Sequence, residues 1–214
     1  MIKLLWFAVD ESMLGPWMSP RSAVDPKAAP LRVTRNLVLR DEQPAGAPHG
    51  VIDVAHFEDH PHLERFRRTA DADEISDHVQ VVTEVVLRGE DWLTGRWSAG
   101  GPRYKHMALA RRADGLSPAE FAERWQAHAG TAGATTIPDE MRGQAYAQNH
   151  PAPDADRVIY DAVNEVWFDD LDLLRARHRW LTETVGSTSD DDSTDDLFGE
   201  RHLLIVEEQV LEIS

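Results

Sequence analysis

One predicted helix carries a histidine on its apolar side. Within residues 119–130, Phe121, Trp125 and His128 follow at i, i+4 and i+7, so they share one helix face. Imidazole exchanges protons near neutral pH, which makes His128 a candidate general acid or base. A core histidine bonded to a backbone carbonyl would show the same spacing, and the helix alone does not decide between the two.

A strand-like segment at residues 142–150 separates small side chains from large polar ones. One side carries Gly143, Ala145, Ala147 and Asn149, and the other carries Gln144, Tyr146, Gln148 and His150. We expect the polar side to point into a cavity, because buried polar groups need a partner, although a solvent-exposed face is the alternative. Tyr146 could then donate to an enolate oxygen, while Gln148 or Asn149 orients a carbonyl group and His150 contacts the ligand.

Further candidates stand on other predicted strands. Glu165 could orient an imidazole, or act as a base if burial raises its pKa. Strand 103–111 is expected to turn His106 and two small alanines inward, and its large apolar residues toward the helices. Trp6 and Trp125 would add aromatic surface to the same substrate-binding cavity.

Other histidines raise the question of a metal or haem group. His56, His60 and His62 follow an H-x3-H-x-H spacing, but they span a predicted strand end and helix start, where polar residues are common. His178 could act as a haem ligand, although packing at a helix surface is the simpler reading. The sequence has no Gly-rich phosphate loop, G-x-S-x-G elbow or H-E-x-x-H motif. We therefore expect no metal and no cofactor.

Composition narrows the class of partner. The 214 residues carry a formal net charge of -16, which disfavours nucleic acid and anionic membranes, and anionic substrates too unless the pocket differs locally. No signal peptide is recognisable, and no apolar segment approaches the roughly 20 residues that span a bilayer. The chain contains no cysteine, which suits a reducing compartment. A cytoplasmic location is expected.

The predicted elements come in two similar series. Strands are expected at 1–9, 31–40, 50–57 and 79–88, and again at 103–111, 142–150, 160–168 and 201–213. Helices are expected at 60–70, 117–130 and 170–184, with a weaker one at 11–25. Irregular segments are expected at 15–30, 91–102 and the acidic stretch 185–196.

This order predicts an α+β protein built from two units. Each unit would be a ferredoxin-like βαββαβ arrangement, one over residues 1–95 and one over residues 103–214. Packing the two sheets together would bury their bare faces and produce a barrel with helices outside and a cavity within.

The second half resembles the EthD family of the dimeric α+β barrel superfamily. The similar motifs are RRADGLSPAEF at 111–121, RWQAH at 124–128, YAQNH at 146–150 and YDAVNEVWF at 160–168. The resemblance extends from residue 103 to about residue 182. The first half is a degenerate match, because it lacks the W-x-x-H and Y-x-Q-N motifs. Members of the family usually pair two chains, so the resemblance implies a fused barrel that exists as a monomer or homodimer.

The resemblance also implies a small-molecule activity. We expect a cofactor-independent cyclase, dehydratase or isomerase that acts on a hydrophobic aromatic or polyketide-like compound of secondary or catabolic metabolism. His128 would be the acid/base, Tyr146 the oxyanion donor, and Gln148, Asn149 and Glu165 the orienting groups. A cofactor-free monooxygenase acting on a phenol, a non-catalytic binding protein and, more distantly, a haem protein are the alternatives.

Overall fold

The computed structural model describes residues 1–10, 12, 26–42, 47–69, 78–99, 103–132, 135–153, 155, 157–187 and 197–211. Ten strands lie in this part of the chain: β1 (Ile2–Ala8), β2 (Arg32–Val38), β3 (Val51–Phe57), β4 (Val79–Arg88), β5 (Arg103–Arg112), β6 (Thr131–Ala132), β7 (Thr135–Thr136), β8 (Ala145–Pro151), β9 (Ala162–Phe168) and β10 (Phe198–Leu211). Its α-helices are α1 (His60–Thr69), α2 (Glu90–Ala99), α3 (Pro118–Ala127) and α4 (Leu171–Ser187).

Eight of these strands close into an antiparallel barrel. Their order around it is β1-β3-β2-β10-β5-β9-β8-β4, and β6 and β7 form a separate hairpin. Val-rich and Ile-rich runs form the strands, because β-branched side chains fit a pleated surface that is covered on both sides. All seven residues of β1 and all seven of β3 are buried. The predicted α+β class with an eight-strand barrel is therefore confirmed.

The two halves of the barrel have the same strand order. In the first half the order is β4-β1-β3-β2, and in the second half it is β10-β5-β9-β8. The halves meet where β2 pairs with β10 and where β4 pairs with β8. The division into ferredoxin-like units at 1–95 and 103–214 stays a prediction, because the helix expected at 11–25 lies, apart from Ser12, outside the described residues.

The segment predicted as irregular at 91–102 is helical as far as Ala99, and this prediction was wrong. Leu93 is buried, and it packs with Trp92 and Trp97 against side chains of β8 and β9. Acidic residues in the first turn favour the helix dipole. This packing outweighs the helix-weakening effect of Gly95.

Helix α2 closes one end of the barrel. The Trp97 ring lies 3.3 Å from the guanidinium carbon of Arg32 on β2 and 6.2 Å from the His56 ring on β3. Arg103 on β5 donates to the Arg96 carbonyl over 2.9 Å. Because α2 also packs against β8 and β9, and β9 lies opposite β3 in the strand order, the helix spans the mouth of the barrel.

The barrel interior is filled with side chains. An apolar cluster brings together residues of seven barrel strands: Leu5, Phe7, Val38, Ile52, Val54, Val82, Met107, Leu109, Val163, Leu204 and Val206. Lys3 reaches Glu165 across this interior, although β4 and β8 separate their strands around the barrel. The predicted cavity within the barrel was therefore placed wrongly. Met107 and Leu109 point inward, and His106, Ala108 and Ala110 occupy the outer side of the sheet.

Several predicted boundaries shift by a few residues. The acidic stretch predicted as a loop at 185–196 begins within α4, which continues to Ser187, and residues 188–196 lie outside the described part. Of the irregular stretch predicted at 15–30, residues 26–30 form a turn and residues 15–25 are not described. Among the described helices, none combines the length and the apolar character needed to cross a membrane.

Candidate functional site

A cavity of about 390 Å³ lies between the outer side of the second-half sheet and the helices that cover it. Its floor is formed by small residues of β5 and β9, including Ala108, Ala110 and Ala162. Trp125 of α3 and Leu181 of α4 form apolar walls. The small floor residues leave room under the helices, which is why a void forms on this side of the sheet.

A second cavity of about 240 Å³ adjoins the first. Both cavities are lined by a shared set of residues: His128, Thr131, Ile137, Tyr146, Asn164 and Arg177. The shared set contains every kind of group that acid–base chemistry needs: an imidazole, a phenol, an amide and a cation. We refer to the two cavities together as the sheet–helix cavity.

The Tyr146 hydroxyl is held in place by Gln148. The Gln148 amide Nε2 donates to the Tyr146 hydroxyl over 2.9 Å and to the Trp125 carbonyl of α3 over 3.1 Å. Burial raises the pKa of Tyr146, and Gln148, Arg177 and Asn164 oppose this rise only in part. Tyr146 is therefore protonated at neutral pH. Because its oxygen accepts from Gln148, its own proton remains available to the cavity.

His128 stands at the C-terminal cap of α3. The helix starts at a capping box, in which Ser117 accepts from the Glu120 N–H and Glu120 accepts from the Ser117 N–H. Trp125 is buried on the inner face of the helix, so the cap residue one turn later reaches the cavity. The half-buried His128 imidazole makes no hydrogen bond to any residue that the structure describes.

His106 lines the cavity from β5 and is only 2% exposed. Burial lowers its pKa well below the usual value, and the nearby Arg177 and His178 lower it further. Its Nδ1 has no hydrogen-bond partner among the described residues. A neutral imidazole with a free ring nitrogen can bind a ligand hydroxyl. His178 packs beside it on α4, with the two ring centroids 6.4 Å apart.

Several predicted site residues do not line the cavity. Asn149 and Glu165 point into the barrel, where the Asn149 amide donates to the Glu165 carboxylate over 3.1 Å. Trp6 packs in the apolar cluster beneath α1 of the first half. Asn149 and Glu165 lie on the side of their strands away from the helices, whereas Trp6 lies on the helix-covered side of the other half, so none of the three lines this cavity. Their expected contact with a ligand stays a prediction. His150 does not line the cavity, but its ring centroid lies 4.6 Å from that of Trp125, which does.

Glu165 has ionic partners of its own inside the barrel. Lys105 binds its carboxylate at 2.6 Å, and Lys3 binds the other oxygen. Burial alone would raise the pKa of Glu165, but the two lysines lower it strongly. The carboxylate is therefore ionised and fully occupied, which does not suit a catalytic base.

Arg177 is a cavity residue that the sequence interpretation missed. Leu174, Arg177 and Leu181 stand at i, i+3 and i+7 of α4, so the arginine lies on the apolar stripe that faces the sheet. A charged residue in that position was the available signal. Burial lowers the pKa of Arg177 to about 10, which leaves the guanidinium charged at neutral pH.

The histidines at 56–62 do not converge. The His56 ring lies inside the barrel, 3.0 Å from an Arg32 guanidinium nitrogen, while His62 contacts the Ala29 carbonyl at 2.8 Å. Across the described residues, no group of three His, Asp or Glu side chains is arranged to hold a metal ion.

The comparison with known families agrees with the motifs in the sequence. The EthD domain matches residues 113–177, a segment that runs from the end of β5 through α3, β8 and β9 into α4. No curated protein matches the chain at a significant level. The segment that supplies His128, Tyr146 and Arg177 is therefore similar to the EthD domain.

Proposed function

We propose that this chain binds a hydrophobic, ring-bearing small molecule in the sheet–helix cavity and converts it by cofactor-independent acid–base chemistry. The EthD domain relates the chain to small-molecule enzymes or binding proteins. The observation that carries the proposal is the position of His128 and Tyr146 on the shared wall of the cavity. A volume of about 390 Å³ also falls within the usual range for small-molecule pockets.

The proposed reaction begins with removal of a proton from a carbon next to a carbonyl group. His128 accepts that proton, and the enolate oxygen accepts a hydrogen bond from Tyr146. The protonated His128 then returns its proton to another carbon, which gives an isomer, or to a departing hydroxyl, which releases water. Alternatively, the enolate carbon attacks a second carbonyl of the same molecule, and the alkoxide formed takes the proton from His128, which gives a cyclised product.

The other cavity residues support binding. Trp125 and the alanine floor suit the faces of a fused or substituted ring. His106, neutral and with a free Nδ1, offers an acceptor to a ligand hydroxyl. Gln148 acts through Tyr146 rather than on the ligand, because it binds both the hydroxyl and the α3 backbone.

Product analysis tests this proposal directly. The protein is incubated with polyhydroxylated aromatic compounds and β-polyketones, once in air and once without oxygen. The masses of the products are then measured by mass spectrometry. Products of equal mass, or lighter by one water, in both conditions would support acid–base chemistry. An oxygenated product formed only in air would replace the proposal with a monooxygenase. Tight binding of a compound without turnover of any bound compound would instead support a non-catalytic binding protein.

A further inference from the structure

We infer that the ligand of the sheet–helix cavity carries an acidic group, a carboxylate or an acidic phenol, and that Arg177 binds it. This inference rests on the proposed function, because it names the class of molecule that the same cavity accepts. It adds a specificity-determining residue that lies outside the proposed acid–base pair.

The first observation is a local reversal of charge. Among the described residues that line the two cavities are four arginines, Arg88, Arg142, Arg177 and Arg201, and no aspartate or glutamate. The whole chain carries a formal net charge of -16. A concave, partly apolar site with a cationic lining attracts anions more strongly than the average surface would suggest.

The second observation is the surroundings of Arg177 itself. Its side chain is 6% exposed, and one guanidinium nitrogen donates to the Met141 carbonyl over 2.6 Å. Its Nε has no hydrogen-bond partner, and no carboxylate pairs with it within the described part of the chain. A buried cation without a counter-ion is costly, which favours an anion supplied from outside.

The two buried lysines differ from Arg177 in their partners. Lys3 contacts the carboxylates of Glu84 and Glu165, and Lys105 contacts those of Glu165 and Glu208. Each buried lysine therefore has two acidic partners, whereas Arg177 has none among the described residues. Buried Arg103 makes no ion pair either, but it donates to the Arg96 and Trp97 carbonyls and lies near Glu208 and Asp169. Arg177 differs from it because it lines both cavities and has no such carboxylate nearby among the described residues, and this position points to a ligand.

Two neighbouring arginines differ from Arg177 because their guanidinium groups have partners within the protein that fix a turn or neutralise the charge. Arg88 donates to the carbonyls of Arg142 and Gly143, so it orders the turn before β8. Arg142 forms an ion pair with Asp139 at 3.0 Å. Arg177 is thus the buried guanidinium that faces both cavities and keeps donors free for a planar acid group.

The surrounding groups complete a site for such an acid. Tyr146 and Asn164 line both cavities together with Arg177, and Tyr146 is a second donor. The apolar walls at Trp125 and Leu181 can hold the ring that bears the acid. Because His128 lies on the same shared wall, an acid bound at Arg177 would hold the rest of the molecule within reach of the imidazole.

A matched pair of probes tests the inference. Binding of 2-naphthoate and of its uncharged analogue 2-naphthamide is measured by calorimetry with the parent protein, with Arg177→Gln and, as the control, with Arg175→Gln on the same helix, because Arg175 lines neither cavity. We expect the parent to bind naphthoate at least tenfold more tightly than the amide. Arg177→Gln should lose that preference and leave the amide affinity within about twofold. Arg175→Gln, whose charge is already paired with Asp172 and Glu42 outside the cavity, should keep most of the preference.

The possible outcomes separate this inference from the proposed function. Equal affinity for the two probes in the parent, or an unchanged preference in Arg177→Gln, would overturn the role of Arg177 and leave a neutral-ligand cavity intact. Failure of both probes to bind would overturn the cavity as a binding site, and the inference with it. Thermal unfolding guards against a folding defect, because loss of an uncompensated charge should leave the Tm of Arg177→Gln equal to or above that of the parent.

Discussion

Lys3 on β1 binds Glu165 on β9 across the barrel interior, although 162 positions separate them in the sequence. Their strands are not neighbours, so this ion pair exists only once the barrel has closed. Lys105 and Asn149 contact the same carboxylate. Glu165 is therefore a central connection between the two halves of the barrel.

Removal of that charge should destabilise the fold. In Glu165→Gln, the two buried lysines would lose a shared counter-ion, and we expect the free energy of unfolding to fall by roughly 3–5 kcal/mol. Urea unfolding of the parent and the variant measures this difference. Glu64→Gln is the control, because Glu64 pairs with Arg67 at the surface of α1 and should cost less than about 1 kcal/mol. Equal losses in both variants would contradict the central role of Glu165.

Stability should decrease on the acid side of neutrality. Burial, Arg177 and His178 lower the pKa of His106 in the folded protein, whereas a histidine in the unfolded chain has a pKa of about 6.5. As the pH falls below that value, the unfolded chain takes up a proton that folded His106 does not, so folding stability falls. The maximal slope for one such group is about 1.4 kcal/mol per pH unit.

Urea unfolding at pH 7.5 and pH 5.5 checks this dependence. The loss of stability between the two values should be smaller in His106→Gln than in the parent. His56→Gln should act in the same direction, because burial, Lys3 and Arg32 lower the pKa of His56. Slopes that match the parent in both variants would show that neither histidine is held neutral by the fold.

Two glycines should respond in opposite ways to substitution by alanine. Gly143, just before β8, has a φ of +69°, and an added Cβ would lie 2.5 Å from the Trp167 carbonyl oxygen. Gly143→Ala should therefore lower the free energy of unfolding by about 2 kcal/mol or more. Gly95 lies in α2 with open space around it, so Gly95→Ala should raise stability by about 0.5–1 kcal/mol. Thermal unfolding of the two variants shows whether each substitution lowers or raises the stability of the protein.

Tyr146→Phe and His128→Gln should separate catalysis from binding. Loss of an oxyanion donor typically reduces kcat by about 10²–10³, and loss of a general acid–base group by about 10²–10⁴. Both variants should still bind the substrate identified by product analysis, because the apolar walls remain. Tyr104→Phe serves as the control, since Tyr104 lies outside the sheet–helix cavity. Full turnover in either test variant would remove that residue from the proposed mechanism.

The sequence predicted the barrel strands well but not which side of each strand faces inward. Both faces of a strand such as β1 are buried, so alternation of polar and apolar residues carries little information there. Lys105 and Glu165 look like solvent-facing residues in the sequence, yet they lie in the interior because they neutralise each other. Lys105 meets Glu165 and Glu208 on the neighbouring strands, and Glu165 meets Lys3 across the barrel. These contacts join residues far apart in the sequence and leave no local signal.

The candidate site was predicted in part for a similar reason. His128, Tyr146, His106 and Trp125 do line one cavity, because the helix and strand motifs that bear them were read correctly. Arg177 was missed because a charged residue beside the leucines of an amphipathic helix usually faces solvent, and only the packing of α4 shows that it is buried. Helix α2 was missed because Gly95 and the following Gly-Gly-Pro suggest a loop, and its tertiary packing outweighs that local preference.

The position of the cavity outside the closed barrel has a consequence for how this protein can change. The ion pairs and strand pairings that hold the molecule together lie on one side of the sheet, and the cavity lies on the other. Substitutions in the covering helices at Trp125 or Leu181 would reshape the room available to a ligand without altering the ionic interior. New ligand preferences could therefore arise, by mutation or by design, through repacking of the helix–sheet layer while the ionic interior of the barrel stays unchanged.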